Sequence, residues 1–428
     1  MSRLIFSNAN LLDGEHPARP GTTVVVEGER IAAVGEEPIA SRTDGDDRCI
    51  DLGGRTLMPG MVTCHFHSTY DELGATPEPF GLDRPPAYQA LRAARNLEKA
   101  LLAGFTGAIS AGAGHDIDAA MKLAIEDGLV PGPRFVPGSR DLSTTGHAND
   151  AVPWYWDLHA WGAIRRCDGP DEFRRAVRDE IKRGAEIIKL FVTGGHGTRA
   201  PKDAIEMTRD ELQAAVDAAH ERGRLIRGHV VNKRAILMAI EAGLDVIDHA
   251  DEMDQECIEL LARTGTFVAP SLFFPYTFMN RVGRGLGFTD AMRADFEQSC
   301  RVLPSAARAG VKLVVGDDYG AMGFPHGLYA AELELYVREA GIAPLEVLRW
   351  ATRNGAELMR MGDELGTIAA GKLADLLVVD GDPLADVRVL QDPGKLLAIM
   401  KGGRMVKDLL PANEPAVREK RRSGAGKR

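Results

Sequence analysis

Residues 58–70 read Met58-Pro59-Gly60-Met61-Val62-Thr63-Cys64-His65-Phe66-His67-Ser68-Thr69-Tyr70. The short apolar run after Pro59-Gly60 is typical of a buried strand. Side chains two positions apart on a strand lie on the same face, which predicts that His65 and His67 point together. Two converging imidazoles could bind a metal ion, but an isolated pair is equally compatible with one core and one surface histidine. The choice depends on whether other strands supply further ligands.

The length and charge of the chain exclude several classes of protein. Its 428 residues suffice for one large barrel-type domain with an appendage, or for several ordinary domains. The formal net charge of -10 argues against an extended nucleic-acid surface, which requires concentrated Lys and Arg. The five cysteines form no CxxC pair, and no window has the length of a signal-peptide core or a membrane span. These features predict a cytoplasmic protein whose partners are neither nucleic acids nor membranes.

Both ends of the chain contain short strand patterns separated by turn residues. Examples are Leu4-Ile5-Phe6 near the start and Leu376-Leu377-Val378-Val379 near the end. Two β-rich ends around an α/β middle predict one small β-sandwich domain built from residues 1–56 and 361–410. Residues 411–428 are basic and are predicted to form a disordered tail, with a binding arm as the alternative.

The middle of the chain, residues 57–360, alternates apolar runs with helical patterns. Thr208 and Glu211 form a capping-box pattern at the start of one helix, which Gly223 ends. The eight apolar runs span 61–66, 105–110, 134–138, 186–193, 225–231, 244–248, 266–273 and 311–316. Eight strands alternating with helices predict a (β/α)8 TIM-type barrel, whose catalytic groups lie at the C-terminal ends of its strands. A doubly wound sheet is the alternative, but no GxGxxG follows the first strand.

Side chains that can bind a metal recur at the predicted C-terminal strand ends. They are His65, His67, Lys189, His229, His249 and the Gly316-Asp317-Asp318 end. Imidazoles and carboxylates together suit zinc and similar divalent ions, and a position at the mouth of a barrel favours a catalytic site. Asp318 is the predicted general base, which would take a proton from metal-activated water and return it to the leaving amine. Asp317 could instead be the ligand.

Lys189 lies in the otherwise apolar run Ile187-Ile188-Lys189-Leu190-Phe191. Burying its charge would be costly, so the amine must be paired, neutral or chemically converted. A neutral amine can add carbon dioxide and become a carbamate, whose two oxygens could bridge two metal ions. The alternative is that Lys189 snorkels or pairs with a carboxylate such as Asp317.

Other histidines lie in predicted loops near the opening of the barrel. The loop around His147 follows the third strand and could contact the substrate. His115, His196 and His326 lie beside glycines or in loops that could rim the opening. For each of these, an incidental or structural role is the default interpretation.

Together these residues resemble the amidohydrolase superfamily over nearly the whole chain. The resemblance is carried by the strand-end residues, by Met58-Pro59-Gly60-Met61-Val62 and by residues 365–379. Within the superfamily, residues 139–147 and the turn Thr193-Gly194-Gly195 are similar to the imidazolonepropionase-like branch, which includes Xaa-Pro dipeptidases. The chain is thereby identified as a member of that branch.

The resemblance implies a binuclear metal centre, typically of zinc. His65, His67 and Asp318 would bind one ion, and His229 and His249 the other. Lys189, N6-carboxylated, would bridge the two ions. Members of this branch are often oligomeric, so a homo-oligomer is also implied.

Two departures from the branch concern the substrate. Peptidase members carry a tyrosine two residues after the strand-five histidine, where this chain has Val231, and Asp317 replaces their usual threonine. Both departures favour an uncharged amide, carbamate or urea. A dipeptidase would need a cation for the substrate carboxylate, and Arg199 and Arg227 are the candidates. The residues predicted to contact the substrate are Tyr70, His147, Arg199 and Val231.

The resulting hypothesis is a metal-dependent amidohydrolase that cleaves a C–N bond of a small substrate. Asp318 would shuttle the proton, and His249 or His147 would help to hold the developing oxyanion. An Xaa-Pro-type dipeptidase or carboxypeptidase is the first alternative. A non-catalytic binding protein on the same barrel is the second, although such a protein has no evident need for an intact ligand set.

Overall fold

The structure of the protein, a computed structural model, describes residues 3–35, 47–72, 81–147, 150, 155, 162–196, 198, 200–282, 289–321 and 323–410. The strands are β1 Arg3–Leu11, β2 Arg19–Glu27, β3 Arg30–Gly35, β4 Arg48–Asp51, β5 Thr56–Pro59, β6 Met61–Phe66, β7 Phe105–Ser110, β8 Arg134–Val136, β9 Gly138–Ser143, β10 Ile164–Arg166, β11 Ile187–Phe191, β12 Leu225–Val230, β13 Val246–His249, β14 Phe267–Ala269, β15 Lys312–Leu313, β16 Leu376–Val379, β17 Leu396–Lys401 and β18 Arg404–Asp408.

Helices lie mostly between the central strands. The α-helices are α1 Pro86–Leu102, α2 Ile117–Glu126, α3 Pro170–Lys182, α4 Arg209–His220, α5 Lys233–Ala242, α6 Gln255–Thr264, α7 Phe273–Thr277, α8 Thr289–Arg308, α9 Ala331–Arg338, α10 Pro344–Arg349 and α11 Gly355–Leu358. Two π-helical turns, Phe278–Val282 and Trp350–Asn354, and a 3-10 turn, Val387–Gln391, complete the set. The predicted capping box of α4 is confirmed: Glu211 N donates to Thr208 Oγ1 (3.3 Å) and Thr208 N donates to Glu211 Oε2 (2.7 Å).

Strands from both ends of the chain share one sheet, in the order β18-β17-β16-β5-β1-β2-β3 with β4 paired to β1. Their inward side chains, among them Phe6, Val24, Leu57 and Leu376, form an apolar cluster of their own. The sheet therefore depends on residues far apart in the chain, as its β-rich ends predict. The sandwich arrangement and the domain boundaries stay predictions, and residues 411–428 lie outside the described part of the chain.

The central strands are parallel and alternate with helices. They form two sheets, β6-β7-β8 and β10-β9-β11-β12-β13-β14-β15. Each of the eight predicted runs contains a strand, so the α/β class and the strand–helix alternation are confirmed. Cys64 N donates to Val315 O (2.7 Å), which joins the first central strand to the segment that follows the last one. This is the architecture of TIM-barrel type folds.

The third and the seventh runs differ from the prediction, and the eighth, 311–316, is a strand only at Lys312–Leu313. The third is divided into β8 and β9 at Pro137, which has no N–H to donate; its carbonyl accepts from Glu186 N (2.9 Å) instead. Strand β14 ends at Ala269, well before the predicted end of its run at 273, and α7 begins there. The amides at the start of α7 bond to Asp317 rather than to a neighbouring strand, because the buried carboxylate competes for them.

No helix among the described residues is long and apolar enough to cross a membrane. The C-terminal ends of the central strands, where parallel strands present side chains to one edge, carry the predicted ligands. At this edge the backbone of Gly316 lies directly against the backbone of His65. Gly316 has a φ of +144°, and any side chain there would collide with His65 N. Glu332 fixes the same position by accepting from Gly316 N (2.8 Å).

Candidate metal centre

Three predicted ligands converge at the end of β6. The Nε2 atoms of His65 and His67 are 3.2 Å apart, and they lie 3.0 Å and 3.3 Å from Asp318 Oδ1. Two nitrogens that bind one tetrahedral zinc ion at about 2.0–2.1 Å are separated by roughly 3.3 Å. The spacing of these three atoms therefore suits a single divalent ion.

A second group of possible ligands shares Asp318. It consists of His196, His249 and Asp318, whose ligand atoms lie within 4.8 Å of one another. His229 is adjacent, with its ring centroid 4.5 Å from that of His249. The structure thus brings His65, His67, His229, His249 and Asp318 together, as the sequence predicts, and adds His196.

Orphaned polar atoms test whether these residues fit a metal. Within the described part of the chain, His196 Nε2, His229 Nε2 and His249 Nδ1 are buried and have no hydrogen-bond partner. A buried polar atom without a partner costs about 1–3 kcal/mol, so a cluster of such nitrogens favours the binding of a metal ion. Burial lowers the pKa of His229 and His249 well below their ordinary range, which keeps both imidazoles neutral, as metal binding requires.

Neighbouring groups orient the first two imidazoles. His67 Nδ1 lies 2.8 Å from Gly112 O, an acceptor, so Nδ1 carries the proton and Nε2 is free for an ion. His65 Nδ1 faces Ser271 Oγ (3.4 Å) and Asp248 Oδ1 (3.5 Å). Tyr70 stacks on the His67 ring, with centroids 4.1 Å apart and an interplanar angle of 4°. Tyr70 therefore holds the outer face of His67, although it is predicted to bind substrate.

Lys189 is paired beneath the ligands. Its Nζ donates to Asp248 Oδ2 (2.6 Å), so the carboxylate partner is Asp248 and not Asp317. Asp248 also accepts from the guanidinium of Arg227, through Nε (3.1 Å) and through Nη2. All three side chains are almost completely buried.

Arg227 does not reach the opening of the site. Its remaining donor, Nη1, bonds to Cys64 O (2.7 Å) and Ser110 O (2.9 Å), and its exposed fraction is 0%. Every contact of the guanidinium lies within the strand layer, because the side chain points inward from β12. The suggestion that Arg227 anchors a substrate carboxylate is therefore wrong. The other cation named for that role, Arg199, lies outside the described residues.

The two aspartates at the last strand end have different surroundings. Asp317 is buried and accepts from Phe273 N (2.7 Å), Phe274 N (3.0 Å) and Asp318 N (2.7 Å). Burial, together with the charge on Asp318, raises the pKa of Asp317 to about 7. Burial opposes the charge on Asp318 as well, but the imidazoles of His65 and His67 hold the pKa of this carboxyl well below its usual range. Asp318, and not Asp317, thus belongs to both groups that could hold a metal ion.

Two other predicted residues line the second half of the site. His147 is buried, with its Nε2 3.5 Å from Thr193 O and its ring edge on Phe191 (centroids 4.8 Å apart). Phe191 in turn stacks on His229 (4.8 Å). Val231 is fully buried, with its Cγ1 beside Gly195, and its role in substrate binding stays a prediction.

Sequence reasoning placed His196 only at the rim of the opening and assigned no role to Asp251 and Asp141. His196 follows the Thr193-Gly194-Gly195 turn, and Asp251 lies two residues after His249; the two side chains are hydrogen bonded (Nδ1 to Oδ2, 3.2 Å). Burial disfavours the charged form of His196, but Asp251 outweighs it and raises the pKa of His196 to about 9. Asp141 is buried with both oxygens unpartnered among the described residues, and burial raises its pKa to about 7. The only feature of the sequence that pointed to His196 was its position directly after the Gly194-Gly195 turn.

A histidine behind the ligands makes stability dependent on pH. His326 Nε2 lies 3.2 Å from Tyr70 O and Nδ1 lies 2.8 Å from Tyr329 Oη, an arrangement that suits the neutral ring. Burial lowers the pKa of His326 from the ordinary 6.5 to about 3. The unfolded chain binds more protons between these values, so the contribution of His326 is fully present above pH 6.5 and is lost as pH falls toward 3.

We therefore expect the metal-free protein to lose stability on acidification, and the His326→Asn variant to lose less across the same interval. Urea unfolding of both proteins with a chelator present, at neutral pH and near pH ~5, measures the difference. Identical pH slopes for the two proteins would contradict the role of His326. Other buried histidines, such as His147, keep a residual slope in the variant.

Comparisons with known proteins agree with this geometry. The family model described as Amidohydrolase family matches residues 56–406. Ochratoxinase of Aspergillus niger is 31% identical over 371 residues, which cover 82% of this chain and 75% of that protein. Imidazolonepropionase of Micrococcus luteus is 26% identical over 434 residues, or 94% and 99% of the two chains.

A solved structure gives the same result. The crystal structure of a prolidase complexed with N-methylphosphonate-L-proline is similar with a TM-score of 0.85 and 30% identity, over 95% of this chain and 100% of that chain. The family match spans all the predicted ligands, and its relatives include the imidazolonepropionase and prolidase named by the resemblance. This chain belongs to the amidohydrolase family and is a hydrolase that acts on C–N bonds.

Proposed function

We propose that this protein hydrolyses an amide, carbamate or urea bond of a small substrate with metal-activated water. The observation that carries the proposal is the convergence of His65 Nε2, His67 Nε2 and Asp318 Oδ1 within 3.3 Å at the end of a central strand. A divalent ion, most readily zinc, would polarise the substrate carbonyl there and lower the pKa of a water molecule. The buried, unpartnered nitrogens of the second group support a second ion.

The proposed ligands divide between two ions. His65, His67 and Asp318 would hold the first, and His229 and His249 the second. Lys189, as a carbamate, would bridge them. This division follows the family resemblance, and the clustering of the five histidine and aspartate side chains supports it.

The charges around Asp248 support carboxylation of Lys189. Asp248 already receives two hydrogen bonds from Arg227, so it stays paired when Lys189 gives up its proton and its bond. Two buried cations share this one carboxylate, and a buried charge in excess is costly. Conversion of the Lys189 amine to an anionic carbamate would remove one cation from that cluster.

Two measurements test the role of Lys189. Elemental analysis of the Lys189→Ala variant should show metal content falling from two equivalents toward one, since the bridging oxygens are gone. The metal-free wild-type protein should regain zinc and activity faster with bicarbonate present than in carbon-dioxide-free buffer. Full metal content in the variant, together with bicarbonate-independent reconstitution, would show that Lys189 has only the structural pairing with Asp248.

Asp318 is placed to move the proton. Its carboxylate touches both imidazoles of the first group and keeps a side-chain exposure of 20%, so a water molecule and a leaving amine can reach it. As an anion it can accept the proton of the attacking water and return it to the amine. His249 and His147 are proposed to help hold the carbonyl oxygen as it gains charge.

The closure of the barrel is part of the proposal. The bond between Cys64 N and Val315 O supports closure of the two parallel sheets into a barrel to which each of the eight predicted runs contributes a strand. The sheet that combines strands from both ends of the chain is proposed to form the β-sandwich domain. A cytoplasmic location and a homo-oligomeric state also stay predictions.

The substrate class is testable with a defined panel. Ochratoxin, N-acyl amino acids, simple carbamates, phenylureas and Xaa-Pro dipeptides should be incubated with the zinc-loaded protein, and release of amine measured. The similarity to ochratoxinase supports ochratoxin as the first substrate to test. Aromatic side chains beside the imidazoles, such as Phe191 and Phe274, support an apolar substrate.

A dipeptidase is the second candidate, because the similar prolidase was crystallised with a proline derivative. It requires a cation for the substrate carboxylate, and Arg227 is committed elsewhere. Hydrolysis of Xaa-Pro dipeptides but not of their C-terminal amides would favour this candidate. Hydrolysis of both, or of carbamates, would favour the broader amidohydrolase.

A further inference from the structure

We propose that His196 is an additional ligand of the second metal ion, beside His229 and His249. The inference rests on the proposed metal centre and concerns a residue outside the ligand set implied by the family resemblance. Three features of the structure support it: the free nitrogen of His196, the carboxylate that orients its ring, and the backbone that carries it.

The free nitrogen of His196 faces the metal centre. Its Nε2 is buried without a hydrogen-bond partner in the described part of the chain and lies 3.9 Å from Asp318 Oδ2. The ring stacks on His249 with centroids 3.7 Å apart and an interplanar angle of 23°. His229 lies on the other side, with its ring centroid 6.4 Å from that of His196. His196, His249 and Asp318 each offer a ligand atom, and these atoms lie within 4.8 Å of one another, so one ion could contact all three.

Asp251 orients the ring in the way that metal-binding histidines are oriented. His196 Nδ1 lies 3.2 Å from Asp251 Oδ2, and the two side chains are only 2% and 5% exposed. A carboxylate that accepts a hydrogen bond from one imidazole N–H keeps the proton on that nitrogen and leaves the lone pair of the other nitrogen for a metal ion. Asp251 lies two residues after His249, the last residue of β13, so the same strand end positions both side chains.

The backbone of the 193–196 turn is built to hold His196 over the strand ends. Gly195 has a φ of +85° and packs against Lys202, where a side chain would collide. His196 has a φ of +43°, in the left-handed region that non-glycine residues rarely adopt. Thr193 Oγ1 anchors the turn by accepting from Val231 N (3.0 Å). Strain of this kind persists where the surroundings impose it, often at functional sites.

Cobalt titration of the metal-free full-length protein tests the inference. Wild type should bind two equivalents of Co²⁺. In His196→Asn, whose asparagine tolerates the left-handed backbone, we expect the second equivalent to bind at least ~10-fold more weakly and its visible absorption to change, while the first is unaffected. Asp251→Asn should weaken the second equivalent by about 10–100-fold, because the orienting acceptor is altered.

His220→Asn is the matched control. His220 is also paired with a carboxylate, through Nε2 and Asp245 Oδ2 (3.0 Å), but its side chain is 40% exposed at the end of α4. It should bind both equivalents like wild type. Circular dichroism of each variant verifies folding, and Asp251→Asn keeps the test decisive if His196→Asn does not fold.

Each outcome separates this inference from the function it rests on. Unchanged affinity and spectrum of the second equivalent in the His196 and Asp251 variants would overturn the assignment of His196 and leave the metal-dependent hydrolase intact. No cobalt binding by the wild-type protein would overturn both.

Discussion

Replacing Asp318 by asparagine is expected to lower kcat by about 10²–10⁴-fold, the usual contribution of a general acid–base group. The asparagine oxygen can still face His65 and His67 but cannot take a proton. The fold should survive, because the Asp318 side chain contacts only site residues and is partly exposed. The measurement is steady-state kinetics on the best substrate of the panel, with metal content determined on the same sample. Full metal content with unchanged turnover would contradict the assignment of the base.

The neighbouring Asp317→Asn variant is the matched control. Asp317 accepts hydrogen bonds from three backbone amides and belongs to neither group of described residues that could hold a metal ion, so its replacement should cost stability, about 1–3 kcal/mol. Turnover of the folded variant should fall far less than in Asp318→Asn. Equal losses of turnover in the two variants would show that charge at this strand end, rather than proton transfer by Asp318, supports the reaction.

The second large effect is on stability, in Arg227→Met. Arg227 lies on β12, and its guanidinium bonds to Cys64 O on β6, to Ser110 O on β7 and to the Asp248 carboxylate on β13. It therefore joins four central strands. Methionine keeps much of the volume but leaves Asp248 buried without its two hydrogen bonds from the guanidinium. Removal of one partner from a buried ion pair costs about 3–5 kcal/mol of the free energy of unfolding. Urea unfolding followed by circular dichroism measures this loss.

Arg209→Met is the comparison for that experiment. Arg209 pairs with Glu241 on the surface, where both side chains are more than half exposed. Exposed pairs contribute about 0–1 kcal/mol, so this variant should unfold like wild type. A loss in Arg227→Met that is no larger than in Arg209→Met would mean that the buried cluster does not hold the strands together.

These two predictions assign separate tasks to neighbouring layers of the site. The outer layer of imidazoles and Asp318 is free to bind an ion and move a proton. The inner layer of Arg227 and Asp248 holds the strand ends at a fixed spacing. A ligand set 3.0–3.3 Å apart requires that spacing, because a small shift of one strand would separate its ligand from the others.

The local pattern of the sequence by itself determined which residues form the strands and which of their ends carry ligands. Strand periodicity placed His65 and His67 on one face, and the repeated strand–helix units placed His229, His249 and Asp318 at the same edge. Such inferences succeed because they depend on spacing along one element. The family resemblance added the assignment of ions and the bridging role of Lys189, which remain proposals.

Only the tertiary structure decided which side chains meet across elements. Lys189 on β11 pairs with Asp248 on β13, two strands away, and Arg227 on β12 turns inward to the same carboxylate, although spacing alone left both cations free to reach the opening. His196 enters the site because a glycine turn folds it back over the strand ends onto Asp251. These contacts join residues that are distant in the chain, and they depend on the packing of loops and buried charges, which no local periodicity encodes.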